Sequence, residues 1–383
     1  DKPLVEHLEK GEQALKIAEG NREILKQLFG SLKGDSIAAK LRFVFFTGVS
    51  RFSKVSIFSD LNNLTDLTLN EDYAALLGYT QEELEDYFQF QLETLRKKLS
   101  AKMKREFSRE ELIAKLKANY NGYRFSEDAE KVYNPTSILN VFNENKFRDY
   151  WFATATPTFL INLICRSKIY LPGIENLKLN ANYTVFELDN LRPEAMLLQT
   201  GYVTISGFQD NCYILNYPNQ EVKRSFINHL LCSYIDEDDP LEIVGKAQKI
   251  GKLLQEEQFD KFFTELKSFY ASIPHALTWE VKKNEAYFHT LFYLLLCSSD
   301  VPAENEILTS GGRLDLAVFF PDKTFVIEFK CDRSAEEGLR QIKDKGYHQR
   351  FLAEEKKLLL MGINFNSRKS LPSDWKVEVS KEP

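Results

Sequence analysis

The sequence predicts a multidomain α/β protein in three parts, residues 1–150, 151–255 and 256–383. Three patterns carry that reading. An aromatic and β-branched run, LRFVFFTGV, stands among helical spacings at the front; two alternating segments follow a short helix in the middle; and the end of the chain mixes helices with apolar strands into an α/β sandwich. A chain of 383 residues with 43% apolar and 13% aromatic side chains buries a sizeable core, which excludes disorder as its main state.

Residues 2–33 space their apolar side chains helically, and the run at 41–49 predicts a buried parallel strand. Thr80 with Glu83, and Ser108 with Glu111, match the capping box, in which a hydroxyl and a carboxylate each satisfy an orphan amide at a helix start. They predict helices over 81–104 and 109–118, the second stopped by a turn at 119–122. Residues 135–180 keep a helical pattern with a proline break at 154–159. A short helix at 193–199 precedes TGYVTIS and NCYILNY, whose period of two around a turn at 207–211 predicts a hairpin. A helix followed by such a hairpin is the layout of a winged-helix module. Residues 219–235 and 240–273 read as helical, and 272–278, with Pro274, as a linker. Then come a helix (283–298), strands (305–309, 313–320, 324–330), a helix (334–346) and a strand (357–364). A tight turn at Pro321, Asp322 and Lys323 joins the second and third of these strands.

Basic residues number 50 and acidic ones 56, a net charge of −6 that excludes a uniformly positive surface and leaves room for a local patch. Residues 96–117 carry nine basic side chains (Arg96, Lys97, Lys98, Lys102, Lys104, Arg105, Arg109, Lys115, Lys117) against Glu106, Glu110 and Glu111. That stretch suits either a solvated helix face or phosphate contacts. Five cysteines, Cys165, Cys212, Cys232, Cys297 and Cys331, show no CxxC pair or zinc spacing, which predicts buried thiols in a reducing cytoplasm. The longest apolar run, 291–297, falls far short of the roughly 20 residues that cross a bilayer, so no membrane partner is expected.

Chemistry gathers near the carboxy end. On TFVIEFK the side chains alternate, placing Phe325, Ile327 and Phe329 on one face of the strand and Val326, Glu328 and Lys330 on the other. A carboxylate and an ammonium side by side on an apolar strand are expensive to bury without a purpose. His289 lies one helical turn after Glu285, but Phe292 and Leu296 continue that face, so a packed histidine is expected there. Gly311 and Gly312 predict a bulge or turn ahead of Asp315.

GRLDLAVFFPDKTFVIEFK, with Asp315 and then Glu328, Phe329 and Lys330, resembles the PD-(D/E)xK nuclease superfamily, in the branch fused behind an AAA-ATPase-like domain in many bacteria. The resemblance continues through EAYFHTLFYLLL, ENEILTSGGRLD, SAEEGLRQIKDKGY and LLLMGINF, and at the front through DKPL, FVFFTGVSRFSK, YNGYRFS, VYNPTSILN, YWFATATPTFL and LLQTGYVTI. It covers nearly the whole chain. It implies a restriction-endonuclease-like fold for the last part and an incomplete P-loop-like α/β fold for the first. Asp315 and Glu328 would hold Mg2+ or Mn2+, with Glu285 as the acid from the preceding helix; magnesium favours one or two carboxylates plus water and phosphate. Lys330 would position water or stabilise charge on the phosphate, and Gln341, with Tyr347, would stand beside the site. A structural ion pair is the other reading of Asp315, Glu328 and Lys330.

No GxxxxGK[ST] occurs anywhere in the chain. DKPLV at Asp1 resembles the tail of the family's magnesium-binding acidic motif, so ATP is expected as a cofactor only in a full-length protein. Thr47, Ser50 and Arg51 would stand in the sensor position and Arg124 in the lid, each equally readable as an ordinary loop or surface residue. The expected function is metal-dependent hydrolysis of nucleic acid, DNA first, gated by ATP in the full-length protein. A cytoplasmic location and a homo-oligomer formed through the ATPase-like part go with it. A catalytically weak nucleic-acid-binding module, or a regulatory ATPase whose rear domain is a protein-contact scaffold, are the alternatives.

Overall fold

The computed structural model describes residues 12–32, 34, 37, 39–48, 64–151, 160–161, 163–164, 171–183, 192–235, 240–273, 284–309 and 311–381. The chain divides into two compact units, one ending at Lys223 and the other built mainly from Arg224 onward.

In the front unit, α1 (Glu12–Ser31) is followed by residues 41–48, which form no strand and leave Phe43 and Phe45 79% and 54% exposed. The buried parallel strand expected there is therefore corrected. Such a strand needs partners on both sides, and among the described residues none lies beside it. Both capping boxes are present: Thr80 starts α2 (Gln81–Tyr87), and Ser108 starts α4 (Arg109–Tyr120). The single helix expected over 81–104 is broken at Phe88, and its second part is α3 (Gln89–Met103). The Phe88 ring is held between Tyr79 (5.2 Å) and Phe142 (5.1 Å), so tertiary packing fixes the break. Asn134 caps α5 (Pro135–Glu144), with proline at the first helical position, where a missing amide is harmless.

Beyond α5 the helical reading fails at β1 (Leu177–Asn180). Four residues are too short to show a period, and their strand character comes from pairing with β3. The helix over 193–199 stands as α6 (Pro193–Gln199), followed by the hairpin of β2 (Thr204–Gln209) and β3 (Cys212–Asn216). Its turn is tighter than expected: Asp210 and Asn211 both adopt left-handed φ (52° and 58°), as a two-residue type I′ turn requires. The sheet order is β1-β3-β2.

A buried carboxylate ties this unit together. Glu221, near the start of α7 (Gln220–Ile235), is fully buried; its Oε2 accepts from Ser137 Oγ (2.8 Å), and its Oε1 from the backbone N–H of Tyr150 (2.5 Å) and Trp151 (2.9 Å). Burial lifts its pKa from 4.5 to about 7 against these hydrogen bonds.

The rear unit continues with α8 (Pro240–Gln255) and α9 (Phe259–Ala271), where one helix over 240–273 was expected. The break is at Glu257, left-handed at φ 54°, whose carboxylate meets Lys323 (2.7 Å) and Lys357 (3.0 Å). Of the linker expected at 272–278, Ser272 caps α9 and residues 274–278 lie outside the described residues. Next come α10 (Glu285–Ser298), β4 (Ala303–Thr309), β5 (Gly312–Phe319), β6 (Lys323–Cys331), α11 (Ala335–Asp344), β7 (Lys357–Asn366) and β8 (Leu371–Lys381). They form one mixed sheet in chain order, parallel only between β6 and β7, with α11 as the crossover. β8 is an element the sequence reading omitted.

Two helices sandwich β6. Phe329 packs on His289 and Phe292 of α10, while Val326 joins Leu339 and Ile342 of α11 in the opposite core. Helix α11 lies unusually close to the sheet: a Cβ on Gly362 would come 2.1 Å from the Ala335 carbonyl, and one on Gly338 would come 3.1 Å from the Glu328 carbonyl. Among the described residues no helix is long and apolar enough to cross a membrane, and Cys212, Cys232, Cys297 and Cys331 are thiols without a disulfide.

Two outcomes follow from this packing. Gly362→Ala must push α11 off β6 and β7, and urea titration should show a loss of about 1–3 kcal/mol, the usual scale of overpacking. Glu221 holds its proton in the folded state to a higher pH than in the unfolded chain. Its contribution is therefore complete below pH 4.5 and is lost as pH rises to about 7. Glu221→Gln, which keeps an acceptor for the two amides, should remove that slope, gaining about 3 kcal/mol on wild type between pH 4.5 and 8 in denaturant titrations.

Candidate active site

The site grows from the strand alternation of β6. Glu328 and Lys330 share its α11 face and are 2% and 4% exposed. In the β5–β6 ladder Leu316 pairs with Ile327, so the next step sets Asp315 opposite Glu328. Asp315 Oδ2 accepts from the Phe329 N–H (2.9 Å), which fixes its carboxylate at the strand end. Lys330 Nζ donates to Glu328 Oε1 (3.1 Å) and to the Phe329 carbonyl (2.7 Å). From α11, Gln341 Nε2 donates to the same Glu328 oxygen. Glu328 Oε2 is buried and has no hydrogen-bond partner.

Electrostatics follow from burial. Desolvation pushes both Asp315 and Glu328 upward from ordinary carboxylate values; the Asp315 charge adds to the rise at Glu328, and the Lys330 ammonium opposes it at both. Glu285, the first residue of α10, is half-buried and also raises Asp315. Two acids share one ammonium, with a third acid nearby. Among the described residues no three His, Cys, Asp or Glu side chains converge closely enough to hold a metal ion by themselves. A cation here would rest on the Asp315 and Glu328 oxygens, completed by water and substrate, a donor set that suits magnesium. The orphaned Glu328 Oε2 fits that role.

The residues expected at the rear are thus brought together: Asp315, Glu328, Lys330 and Gln341 in direct or shared contact, with Glu285 in electrostatic reach. His289 is buried against Phe329 (ring centroids 5.0 Å), and desolvation, with the Arg313 charge, lowers its pKa to about 4. It stays neutral at physiological pH. Tyr347 belongs to the core beneath α11. Gly311 permits the Lys345 carbonyl to approach, since a Cβ would come 1.7 Å from it, and Gly312 takes φ 135° to open β5.

Sequence reasoning missed the clamp that holds α11 over the site. Asn364, paired with Lys330 in the β6–β7 register, accepts from the Arg333 N–H (3.0 Å) and donates to the Arg333 carbonyl (2.8 Å). Asp374 of β8 accepts from the Ala335 N–H at the helix start (3.0 Å). The signal for Asn364 was present, an amide inside the apolar run LLLMGINF.

The nucleotide candidates are not assembled in the same way. Thr47 is exposed in a segment without secondary structure, Arg124 donates to the Glu127 carbonyl of its own loop (3.4 Å), and Ser50 and Arg51 lie outside the described residues. In the basic stretch Arg96 and Lys97 pair with Glu93, Arg105 with Glu111 and Arg109 with Glu85, which cancels much of its charge.

Residues 283–375 match the model of the PD-(D/E)XK nuclease superfamily. Over 377 residues the chain is 34% identical to the "Uncharacterized protein in vnfD 5'region" of Azotobacter chroococcum mcd 1, covering 96% of this chain and 68% of that protein. The chain belongs to that protein's family and carries a PD-(D/E)XK nuclease superfamily domain at its carboxy end. No solved structure matches it. In this PD-(D/E)XK domain the mixed five-stranded sheet flanked by helices is consistent with a restriction-endonuclease-like fold, and the superfamily implies nuclease-type phosphodiester hydrolysis.

Charge balance gives a test that needs no substrate. In chelator above neutral pH, Glu328→Gln should be more stable than wild type by about 1–3 kcal/mol, because it removes the buried one of the two acids and leaves Asp315 with Lys330. Added Mg2+ or Mn2+ should raise the melting temperature of wild type and leave the variant unmoved. Differential scanning calorimetry reads both effects.

Proposed function

We propose that the rear domain hydrolyses phosphodiester bonds of DNA with Mg2+ or Mn2+, using Asp315, Glu328 and Lys330. One observation carries the reading: a buried carboxylate, Glu328, and a buried ammonium, Lys330, share a sheet face with the half-buried Asp315 carboxylate opposite, and one Glu328 oxygen is left without a partner. Asp315 and Glu328 would hold the cation, which when bound polarises the phosphoryl oxygen and lowers the pKa of an attacking water. Lys330, steadied by Glu328 Oε1 and the Phe329 carbonyl, presents a compact positive charge to the phosphate as negative charge builds on it. Gln341 orients Glu328 by donating to Oε1, which leaves Oε2 for the cation. Glu285 sets the local field at the edge of the site. The resemblance of the front to AAA-type ATPases supports control of cleavage by ATP in a full-length protein. This chain, in which no GxxxxGK[ST] occurs, cleaves without ATP.

Incubation with plasmid, linear duplex, single-stranded DNA and RNA in Mg2+ or Mn2+ tests the proposal. Cleavage of DNA is expected, stopped by EDTA and unaffected by ATP. Asp315→Asn and Lys330→Ala should slow it by about 10²–10³-fold, the scale of losing one preorganised electrostatic contact. Cleavage that survives Lys330→Ala, or none of any substrate by wild type, sinks the assignment.

A further inference from the structure

The front unit holds a second place where charge is arranged without an evident structural purpose. A pocket of about 270 Å³ lies between the end of α4 and the start of α7, lined among others by Lys117, Lys131, Lys223, Glu175, Tyr217 and Asn219. Glycine shapes it: Gly122 takes φ 119°, and a Cβ there would stand 1.8 Å from the Pro218 carbonyl, so only glycine lets the two segments meet. Three ammonium groups face one carboxylate. Glu175 pairs with Lys223, and among the described residues neither Lys117 nor Lys131 pairs with an acid.

The decisive residue is Asn219. Its Oδ1 accepts from the Val222 N–H (3.0 Å) and its carbonyl from the Lys223 N–H (3.1 Å), so it caps the 16-residue helix α7. The cap bond fixes which end of the amide is nitrogen. Nδ2 therefore stays behind as a donor, on a residue only 9% exposed, and it has no hydrogen-bond partner. A buried donor left unsatisfied costs about 1–3 kcal/mol, which an acceptor entering the pocket would relieve. The start of a helix adds unpaired amides and a partial positive charge on the same side. Glu221, two residues on, does not oppose an anion there, because its carboxylate is buried against Ser137, Tyr150 and Trp151.

We infer that this pocket binds a phosphate group, with Asn219 Nδ2 as its buried donor and Lys117, Lys131 and Lys223 as its charge. The phosphate can belong to a nucleotide or to a nucleic-acid backbone, since the recognising chemistry is the same. The site is separate from the nuclease residues and does not rest on their assignment.

The test uses the whole chain in EDTA, so that cleavage plays no part. Melting temperature is followed against inorganic phosphate at ionic strength held constant with chloride. Wild type should rise to a plateau. Asn219→Asp keeps the cap oxygen but turns the buried donor into an anionic acceptor, and it should weaken phosphate binding by about tenfold or more. Lys131→Glu should weaken it as well, whereas Lys98→Glu, an equal change of charge on α3, should not. If Asn219→Asp fails to fold, Lys117→Glu and Lys131→Glu, both exposed, decide the matter. ATP and a short DNA duplex are then titrated by calorimetry, and the one whose affinity falls in the same variants is the source of the phosphate. A wild type that ignores phosphate, variants that respond as wild type does, or neither ATP nor duplex depending on these residues overturns the inference.

Discussion

The burial of Glu328 beside Lys330 on β6 is the constraint around which the rear unit is built. A charged pair in the middle of an apolar strand survives only if neighbours supply hydrogen bonds and exclude water. Helix α11 must therefore lie close enough for Gln341 to reach Glu328, and Gly338 and Gly362 are what allow its backbone that near the sheet. The same demand explains the polar fastening at its start, where Asn364 grips both backbone groups of Arg333 and Asp374 takes the first amide of the helix. Strand β8 belongs to this arrangement, since it delivers Asp374.

The opposite face of β6 serves the site by being apolar. Phe329 stacks with His289 and meets Phe292, and Phe365 lies against Phe288 (ring centroids 4.5 Å). With this wall behind them the acids feel little solvent, so each charge interacts strongly with the next. Two acids for one ammonium is an unbalanced ledger in such surroundings. In the proposed reaction, a divalent cation and an anionic phosphate arriving together would restore neutrality.

The front unit uses a buried carboxylate differently. Glu221 is surrounded by donors, a hydroxyl and two amides, and its purpose is to hold the segment at Tyr150 and Trp151 against α5. Cap, helix start and glycine contact at Gly122 all meet within a few residues of it. The basic helices α3 and α4 contribute less positive field than their composition suggests, because glutamates one turn away or on adjacent helices pair with the arginines.

Local chemistry was legible in the sequence. The capping boxes at Thr80 and Ser108, the hairpin after α6, the tight turn before Lys323 and the alternation that puts Glu328 and Lys330 on one face all depend on residues a few positions apart. So does the spacing that sets Asp315 on the strand before them. Features decided by distant partners were not legible. Leu177–Asn180 is a strand because β3 lies beside it, helix α2 stops because Phe88 fits between Tyr79 and Phe142, and α8 stops because Lys323 and Lys357 capture Glu257. Strand β8 alternates Trp375, Val377 and Val379, yet its place at the sheet edge follows from β7. By itself the sequence determined that Glu328 and Lys330 share one face of their strand, because the strand period assigns faces without reference to the rest of the chain. Only the tertiary structure decided that Gln341 reaches Glu328 and that Glu328 Oε2 is left unpaired, because both depend on how closely two backbones approach.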